Sequence, residues 1–349
     1  MALVTTVPLP PADLEFIAMH DPSLWQDLQG ARIFLTGGTG FYGAWLVESF
    51  CAVQDIYQLT ATLTVLTRDP VNFKQRFPHL AARTDLYYVT GDVRDFKFPE
   101  GSFTHLIHAA TPASATMNLD DPINMFTTIV DGTKRVLEFA RKSGVEKFLL
   151  TSSGAVYGPQ PADVTHMKED FFGGPDQLAK YSAYGEGKRA AECMSSMYGR
   201  IYGFDVKIAR GFAFVGPHLP MDGTYAIGNF IANALKGETI DVSGDGTPFR
   251  SYLYAADLAL WLWTILIRGK PMTAYNVGSD EDLTIEAVAS IVANNCQGVV
   301  QIKSKAVAGA AVQQYVPDIL RAKTELGLKV FTGLKAGIEK TIEWHRMQI

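Results

Sequence analysis

The sequence predicts an α/β protein: a doubly wound parallel sheet followed by a smaller C-terminal α/β lobe. Three observations carry this. Short β-rich runs alternate with longer helical patterns through the first half of the chain, the first run leads directly into a glycine-rich turn, and after about residue 210 Gly/Pro-punctuated loops separate single helices. The β-rich runs fall at 32–35, 63–66, 86–89, 105–108 and 147–150. Each is nearly continuous in apolar and β-branched residues, as a parallel strand covered on both faces requires. Helical patterning covers 122–142 and 181–200, and the first of these ends at Lys142-Ser143-Gly144, a C-capping sequence. Val206-Lys207-Ile208-Ala209 reads as one more strand. Beyond it stand Gly216-Pro217, Leu219-Pro220 and Ser243-Gly244-Asp245-Gly246. The expected organisation is an N-terminal extension over 1–29, the sheet over 30–210, and a mainly separate lobe over 211–349 from which 253–278 can return to the sheet. The extension, MALVTTVPLPPADLEF, carries three prolines and reads as an extended arm.

At 349 residues, of which 47% are hydrophobic and 19% charged, the chain is globular rather than disordered. Its net charge is −5 and it holds no dense Lys/Arg block, which argues against nucleic acid or anionic membrane as a partner. The longest apolar stretch, Leu258 to Ile267, is far short of the roughly 20 residues of a membrane span. No secretory signal is visible, so a cytoplasmic protein is expected. Cys51, Cys193 and Cys296 are few and widely spaced, which suits free thiols rather than a disulfide framework or a metal site. His105 and His108 lie on opposite faces of a strand and are poor joint metal ligands; no metal is expected.

The first run continues into Thr36-Gly37-Gly38-Thr39-Gly40-Phe41-Tyr42-Gly43, and a helical pattern follows. Glycines at 37, 40 and 43 let the backbone turn tightly and approach a pyrophosphate, whose charge the helix N-terminus stabilises. This placement makes the sheet a Rossmann-type dinucleotide site with Gly37, Gly40, Phe41, Tyr42 and Gly43 against the cofactor. The second strand ends at Thr67-Arg68-Asp69, where the adenosine ribose is read. Asp69 could accept from a 2′-hydroxyl, whereas Arg68 could pair with a 2′-phosphate; the guanidinium favours NADP(H) over NAD(H).

The run at 147–150 leads into Thr151-Ser152-Ser153-Gly154-Ala155-Val156-Tyr157-Gly158. Further on, Tyr184 and Lys188 stand four residues apart on one helical face. A free Tyr titrates near pH 10, and an adjacent cation favours its phenolate, so Tyr184 is expected to exchange a proton with an alcohol or carbonyl oxygen that Ser153 holds.

With these motifs the sequence resembles the extended short-chain dehydrogenase/reductases, in the branch of nucleotide-sugar epimerases and dehydratases. The resemblance covers about residues 30 to 330 and rests on GGTGFYG, GDVRD (91–95), IHAATPAS (107–114), TSSGAVYG, YGEGK (184–188), GDGTPFRSYLYAADLA (244–259) and VPDILRAKTELGL (316–328). It implies that Asp92 and Val93 flank the adenine, that Ala109, Ala110 and Thr111 line the cofactor, and that Ser153, Tyr184 and Lys188 are the catalytic trio, Lys188 also holding the nicotinamide ribose. It further implies substrate contacts from Ser114, Ser153, Ala213 and Arg250, with Arg250 on phosphate oxygens; an ion pair between Arg250 and Asp257 is the structural alternative. A homodimer through a four-helix interface built from 122–142 and 181–200 is implied as well.

Departures from the family pattern narrow the reaction. Gly154 and Ala155 stand where related dehydratases carry an Asp-Glu pair, so loss of water lacks its acid and base. Nucleotide-glucuronate decarboxylases are textually nearer, but they place Glu at the position of Ala155 and Arg shortly before Pro-Asp-Ile, where this chain has Gln313-Gln314-Tyr315. Ala213 replaces an Asn that faces the substrate in many members. Two reactions need only Ser, Tyr, Lys and a nicotinamide: reduction of a 4-keto-6-deoxy sugar nucleotide by NADPH, which Arg68 favours, and 4-epimerisation with bound NAD. A reading from another class is an NADP(H)-sensing regulator without turnover, against which the retained Tyr/Lys pair counts.

Overall fold

The computed structural model describes residues 7–111, 115–221, 223, 225–306 and 312–348. Six parallel strands run in chain order: β1 (Arg32–Thr36), β2 (Thr62–Thr67), β3 (Leu86–Thr90), β4 (His105–His108), β5 (Lys147–Ser153) and β6 (Asp205–Gly211). A seventh strand, Thr273–Val277, pairs parallel with β6, so the sheet reads 273–277, β6, β5, β4, β1, β2, β3. The order reverses between β1 and β4, and the carboxyl ends of that pair open the crevice where doubly wound sheets take their ligands.

The helices are α1 (Pro11–His20), α2 (Pro22–Gln26), α3 (Phe41–Tyr57), α4 (Pro70–Arg76), α5 (Ala115–Asp120), α6 (Pro122–Ser143), α7 (Ser182–Tyr202), α8 (Ala226–Lys236), α9 (Ala255–Arg268), α10 (Ile285–Cys296), α11 (Leu320–Leu326) and α12 (Leu334–Arg346). Each central strand feeds two cores because successive side chains point to opposite faces. Ile33, Leu35, Ile107 and Leu149 enter the core beneath α3 and α9, while Phe34, Leu106, Phe148 and Leu150 enter the one beneath α6 and α7. On the second face Phe34, Phe103 and Phe139 form a ring cluster with centroids 4.5–5.5 Å apart. The long apolar stretch becomes α9, in which every residue from Ala255 to Ile267 is buried. Trp261 and Trp263 are therefore core, and the indole of Trp263 donates to Ser49 Oγ at 2.9 Å.

The N-terminal segment corrects the expectation of an extended arm. Pro11 occupies the first turn of α1, where a missing N–H costs nothing, and the helix docks Ile17 and Ala18 against α3 and α9. Buried Asp13 accepts from Tyr254 Oη at 2.6 Å and from Lys340 Nζ. Leu9 N donates to Glu48 of α3, and the indole of Trp344 in α12 donates to the carbonyl of Pro8.

Beyond β6 the lobe is built from α8, α10 and short strand pairs. Ile240–Val242 pairs with Val300–Ile302, and Phe249–Arg250 lies between Leu283–Thr284 and Gln314–Tyr315. The last pairing places Tyr315 beside Arg250 at the mouth of the crevice.

Candidate active site

At the end of β1 the chain turns through Gly37 at φ +78° and enters α3 with Gly40 as N-cap. No side chain caps this helix, so its first amides are left to face a ligand. Close packing explains two of the glycines. A Cβ on Gly37 would stand 2.6 Å from the backbone of Ala109 and Ala110, and one on Gly43 would stand 2.1 Å from the Gly37 carbonyl oxygen. The ends of β1 and β4 are tied by Thr36 Oγ1, which accepts from the amides of Ala109 and Ala110 and meets His108 Nδ1 at 2.8 Å. His108 Nε2 contacts Thr133 of α6, and burial pushes the imidazole down to about 3, so it is neutral.

At the end of β2, Arg68 and Asp69 are exposed. Asp69 caps α4 by accepting from Asn72 N at 2.9 Å. A second cation was not legible in the sequence: Arg76, in the last turn of α4, donates to the carbonyl of Thr39 inside the glycine turn at 3.0 Å. Asp92 follows β3 and is held by the Arg94 guanidinium, which keeps its carboxyl below the ordinary value. Val93 is buried against Gly132 of α6.

One cavity of about 970 Å³ runs from the glycine turn to the lobe. It brings together Gly37, Gly40, Phe41, Tyr42, Ala109 and Thr111 from the end at the glycine turn, Ser153, Tyr184 and Lys188 in the middle, and Ala213 and Arg250 toward the lobe. Gly43, Arg68, Asp92, Val93 and Ala110 are not on its lining. Ser114 lies outside the described residues. Arg250 does not pair with Asp257, which accepts instead from Phe331 N, Thr332 N and Thr332 Oγ1; the Arg250 guanidinium donates to the carbonyl of Phe249.

Ser153 ends β5; its hydroxyl accepts from Ala155 N at 3.2 Å and lies within electrostatic reach of the Tyr184 phenol. Tyr184 and Lys188 share a face of α7, which starts beside Asn118 through a bond from Tyr184 N to Asn118 Oδ1. Lys188 Nζ donates to Thr111 Oγ1 at 2.7 Å and to the carbonyl of Thr151 at 2.8 Å. The expected depression of the phenol by the ammonium is not what this geometry produces. Lys188 Nζ stands 5.9 Å from the Tyr184 ring centroid and is spent on the two threonines. Burial dominates both groups: it pushes the Tyr184 phenol up to about 12, with Ser153 opposing, and the Lys188 amine down to about 7, with Glu192 opposing. Beneath them, Glu192 pairs with Arg210 at 2.7 Å and accepts from Ser152 Oγ, fixing α7 to β5 and β6.

Further lining residues escaped the sequence reading. Phe212, Tyr225 and Tyr315 all line the cavity, and the Tyr315 phenol lies within electrostatic reach of Ser153. For Tyr315 the signal was its place just before Pro317-Asp318-Ile319; for Phe212 and Tyr225 there was none. Among the described residues no helix is long and apolar enough to cross a membrane.

The model of the NAD dependent epimerase/dehydratase family matches residues 33–278. UDP-glucuronic acid decarboxylase 6 of Arabidopsis thaliana is 32% identical over 318 residues, spanning 91% of this chain and 90% of that protein. UDP-glucuronic acid decarboxylase 1 of Danio rerio is 29% identical, over 97% of this chain and 78% of that one. Among solved structures, the UDP-N-acetylglucosamine 4-epimerase of Methanobrevibacter ruminantium superposes with a TM-score of 0.79 at 19% identity, covering 92% of this chain and all of that one. The UDP-glucose 4-epimerase of Thermus thermophilus, solved with NAD, gives 0.74 at 25%, covering 91% of this chain and all of the other.

Proposed function

The chain belongs to the NAD dependent epimerase/dehydratase family, and from that premise we propose that it is an NAD(P)-dependent oxidoreductase of a nucleotide sugar, a 4-ketoreductase of a 4-keto-6-deoxy sugar nucleotide using NADPH. The observation that carries this reading is the convergence of Ser153, Tyr184 and Lys188 in one cavity in which Gly154 and Ala155 offer no second acid or base. The glycine turn fits a dinucleotide, because Gly37 and Gly40 line the cavity without side chains and no side chain caps the first turn of α3.

In this reading the catalytic residues are Ser153, Tyr184 and Lys188. When bound, the nicotinamide supplies the two-electron reduction of the sugar carbonyl. Ser153 and Tyr184 hold the carbonyl oxygen, and Tyr184 gives its proton to the alkoxide as it forms. A phenol that burial has pushed up to about 12 stays protonated until that oxygen becomes a stronger base than itself. Lys188, held by Thr111 and the Thr151 carbonyl 5.9 Å from the ring centroid, is assigned to the nicotinamide ribose. The pyrophosphate and ribose are assigned to Gly37, Gly40, Phe41, Tyr42 and Gly43, with Ala109, Ala110 and Thr111 along the cofactor, Asp92 and Val93 at the adenine, and Ala213 and Arg250 on the substrate. NADP(H) is favoured because Asp69 is committed to capping α4 while Arg68 is exposed beside it. A homodimer is proposed through α6 and α7, which pack on each other and present exposed Ile123 and Ile201. A cytoplasmic setting suits the three free cysteines, Cys193 among them exposed.

Spectrophotometry of NADPH with a 4-keto-6-deoxy sugar nucleotide tests the reaction, and net oxidation is expected. Interconversion of two sugar nucleotides without consumption would instead establish a 4-epimerase, and release of CO2 from a nucleotide glucuronate would establish a decarboxylase. Parallel titrations with NADH and NADPH test the cofactor; tighter binding of NADH would remove the role given to Arg68.

A further inference from the structure

We propose that Tyr315 determines sugar specificity: with Phe212 it forms the wall beside the reacting carbon and selects a neutral sugar ring over one that bears a carboxylate. This rests on the nucleotide-sugar reading above and goes beyond it by naming the substrate class.

The placement comes from three separate parts of the chain. The strand pairing of Gln314–Tyr315 with Phe249–Arg250 sets Tyr315 and Arg250 side by side at the cavity. The Tyr315 ring lies 4.7 Å from that of Phe212, and its phenol lies within electrostatic reach of Ser153. Ser153 thus shares the cavity lining with two neighbouring phenols, Tyr184 and Tyr315. If the reacting oxygen is held by Ser153 and Tyr184, a substituent on the neighbouring ring carbon meets Tyr315. Gly154 is part of the same fit: a Cβ there would come 2.6 Å from Tyr315 Oη and 2.9 Å from the Phe212 ring. A side chain at 154 would force the Tyr315 phenol and the Phe212 ring to shift.

The charges around this wall decide what it accepts. Among the described lining residues the cationic side chains are Lys188 and Arg250, and Asp241 adds a negative charge. Lys188 is held by Thr111 and the Thr151 carbonyl. Arg250 is assigned to phosphate. A sugar carboxylate here would be desolvated against Phe212, Gly154 and a phenol that burial keeps protonated, and the cation beside it, Arg250, is already assigned to phosphate. A neutral hydroxyl or carbonyl is buried here at far lower cost, because the Tyr315 hydroxyl can donate to it or accept from it.

The experiment is calorimetry on the full chain with NADP+ present. UDP, dTDP, CDP and GDP are titrated first, then the glucose and glucuronate conjugates of each nucleotide that binds. The glucose conjugate is expected to bind at least about tenfold more tightly than the glucuronate conjugate. In Tyr315→Arg that ratio falls by roughly a hundredfold or inverts, while the affinity for the bare nucleotide is kept. In Tyr315→Phe, which keeps the ring and secures a folded control, the advantage of the glucose conjugate over the bare nucleotide falls about tenfold. Equal binding of the two conjugates by the native chain, or a ratio unmoved by both substitutions, would overturn the assignment to Tyr315 and leave the nucleotide-sugar reading standing. Failure of every nucleotide and conjugate to bind would instead refute that reading, and this inference with it.

Discussion

A buried histidine at the end of β4 makes the stability of this fold fall with acid. His108 is 3% exposed, bonded to Thr36 and Thr133, and neutral because burial pushes its imidazole from 6.5 down to about 3. Below pH 6.5 the unfolded chain takes up a proton that the folded chain refuses. Stability is therefore fully present above pH 6.5 and is lost progressively as the pH falls toward the folded value. With those two values the loss between pH 7 and 4 is about 3 kcal/mol, at a slope of about 1.4 kcal/mol per pH unit in the middle of the window. That is a large share of the 5–15 kcal/mol that holds a typical domain together. His105, pushed down to about 4 by burial, adds to the loss with the same sign. The assay is urea unfolding at several pH values between about 7 and 4 for the native chain and for His108→Gln, comparing midpoints at constant m. The variant starts less stable at pH 7 but carries no titrating group at this position, so the gap between the two curves closes by about 3 kcal/mol at pH 4. Parallel curves over the whole range would refute the claim that His108 is held neutral by its surroundings.

Three further outcomes are expected. Tyr184→Phe lowers kcat by about 10²–10⁴-fold in steady-state assays while cofactor affinity in a fluorescence titration is unchanged; a sensing regulator would keep its function instead. Gly43→Ala drives a methyl into the Gly37 carbonyl oxygen 2.1 Å away and costs ~3 kcal/mol or more, seen as a lowered Tm together with weakened binding in the NADH and NADPH titrations. Asp13→Ala removes the acceptor for buried Tyr254 and leaves Lys340, itself partly exposed, without its partner; a loss of roughly 2–4 kcal/mol in denaturant unfolding follows, and a change below about 0.5 kcal/mol would show that α1 contributes little.

Much of the sheet was legible because its signals are local. The runs at 32–35, 63–66 and 105–108 lie within a residue or two of β1, β2 and β4, since a strand buried on both faces must be apolar at nearly every position. The glycine turn and the spacing of Tyr184 and Lys188 were legible for the same reason: one is a constraint on backbone approach over seven residues, the other a consequence of helical pitch.

The rest depended on residues far apart in sequence. Prolines 8, 10 and 11 read as an arm until α3 and α9 supplied the groove that makes a helix of Pro11–His20 worth forming. Arg76 reaches the glycine turn across 37 residues, and Tyr315 reaches Ser153 only because the lobe adds a strand beside Arg250. The protonation of the Tyr184 and Lys188 pair changed most. Spacing alone pairs a cation with a phenol and lowers the phenol's pKa, whereas burial in the assembled cleft raises it and lowers the lysine's. A pattern along the chain determines which atoms can share a face. How strongly they hold their protons is decided by desolvation, a sum over every group the folded chain packs around them, and that sum exists only in three dimensions.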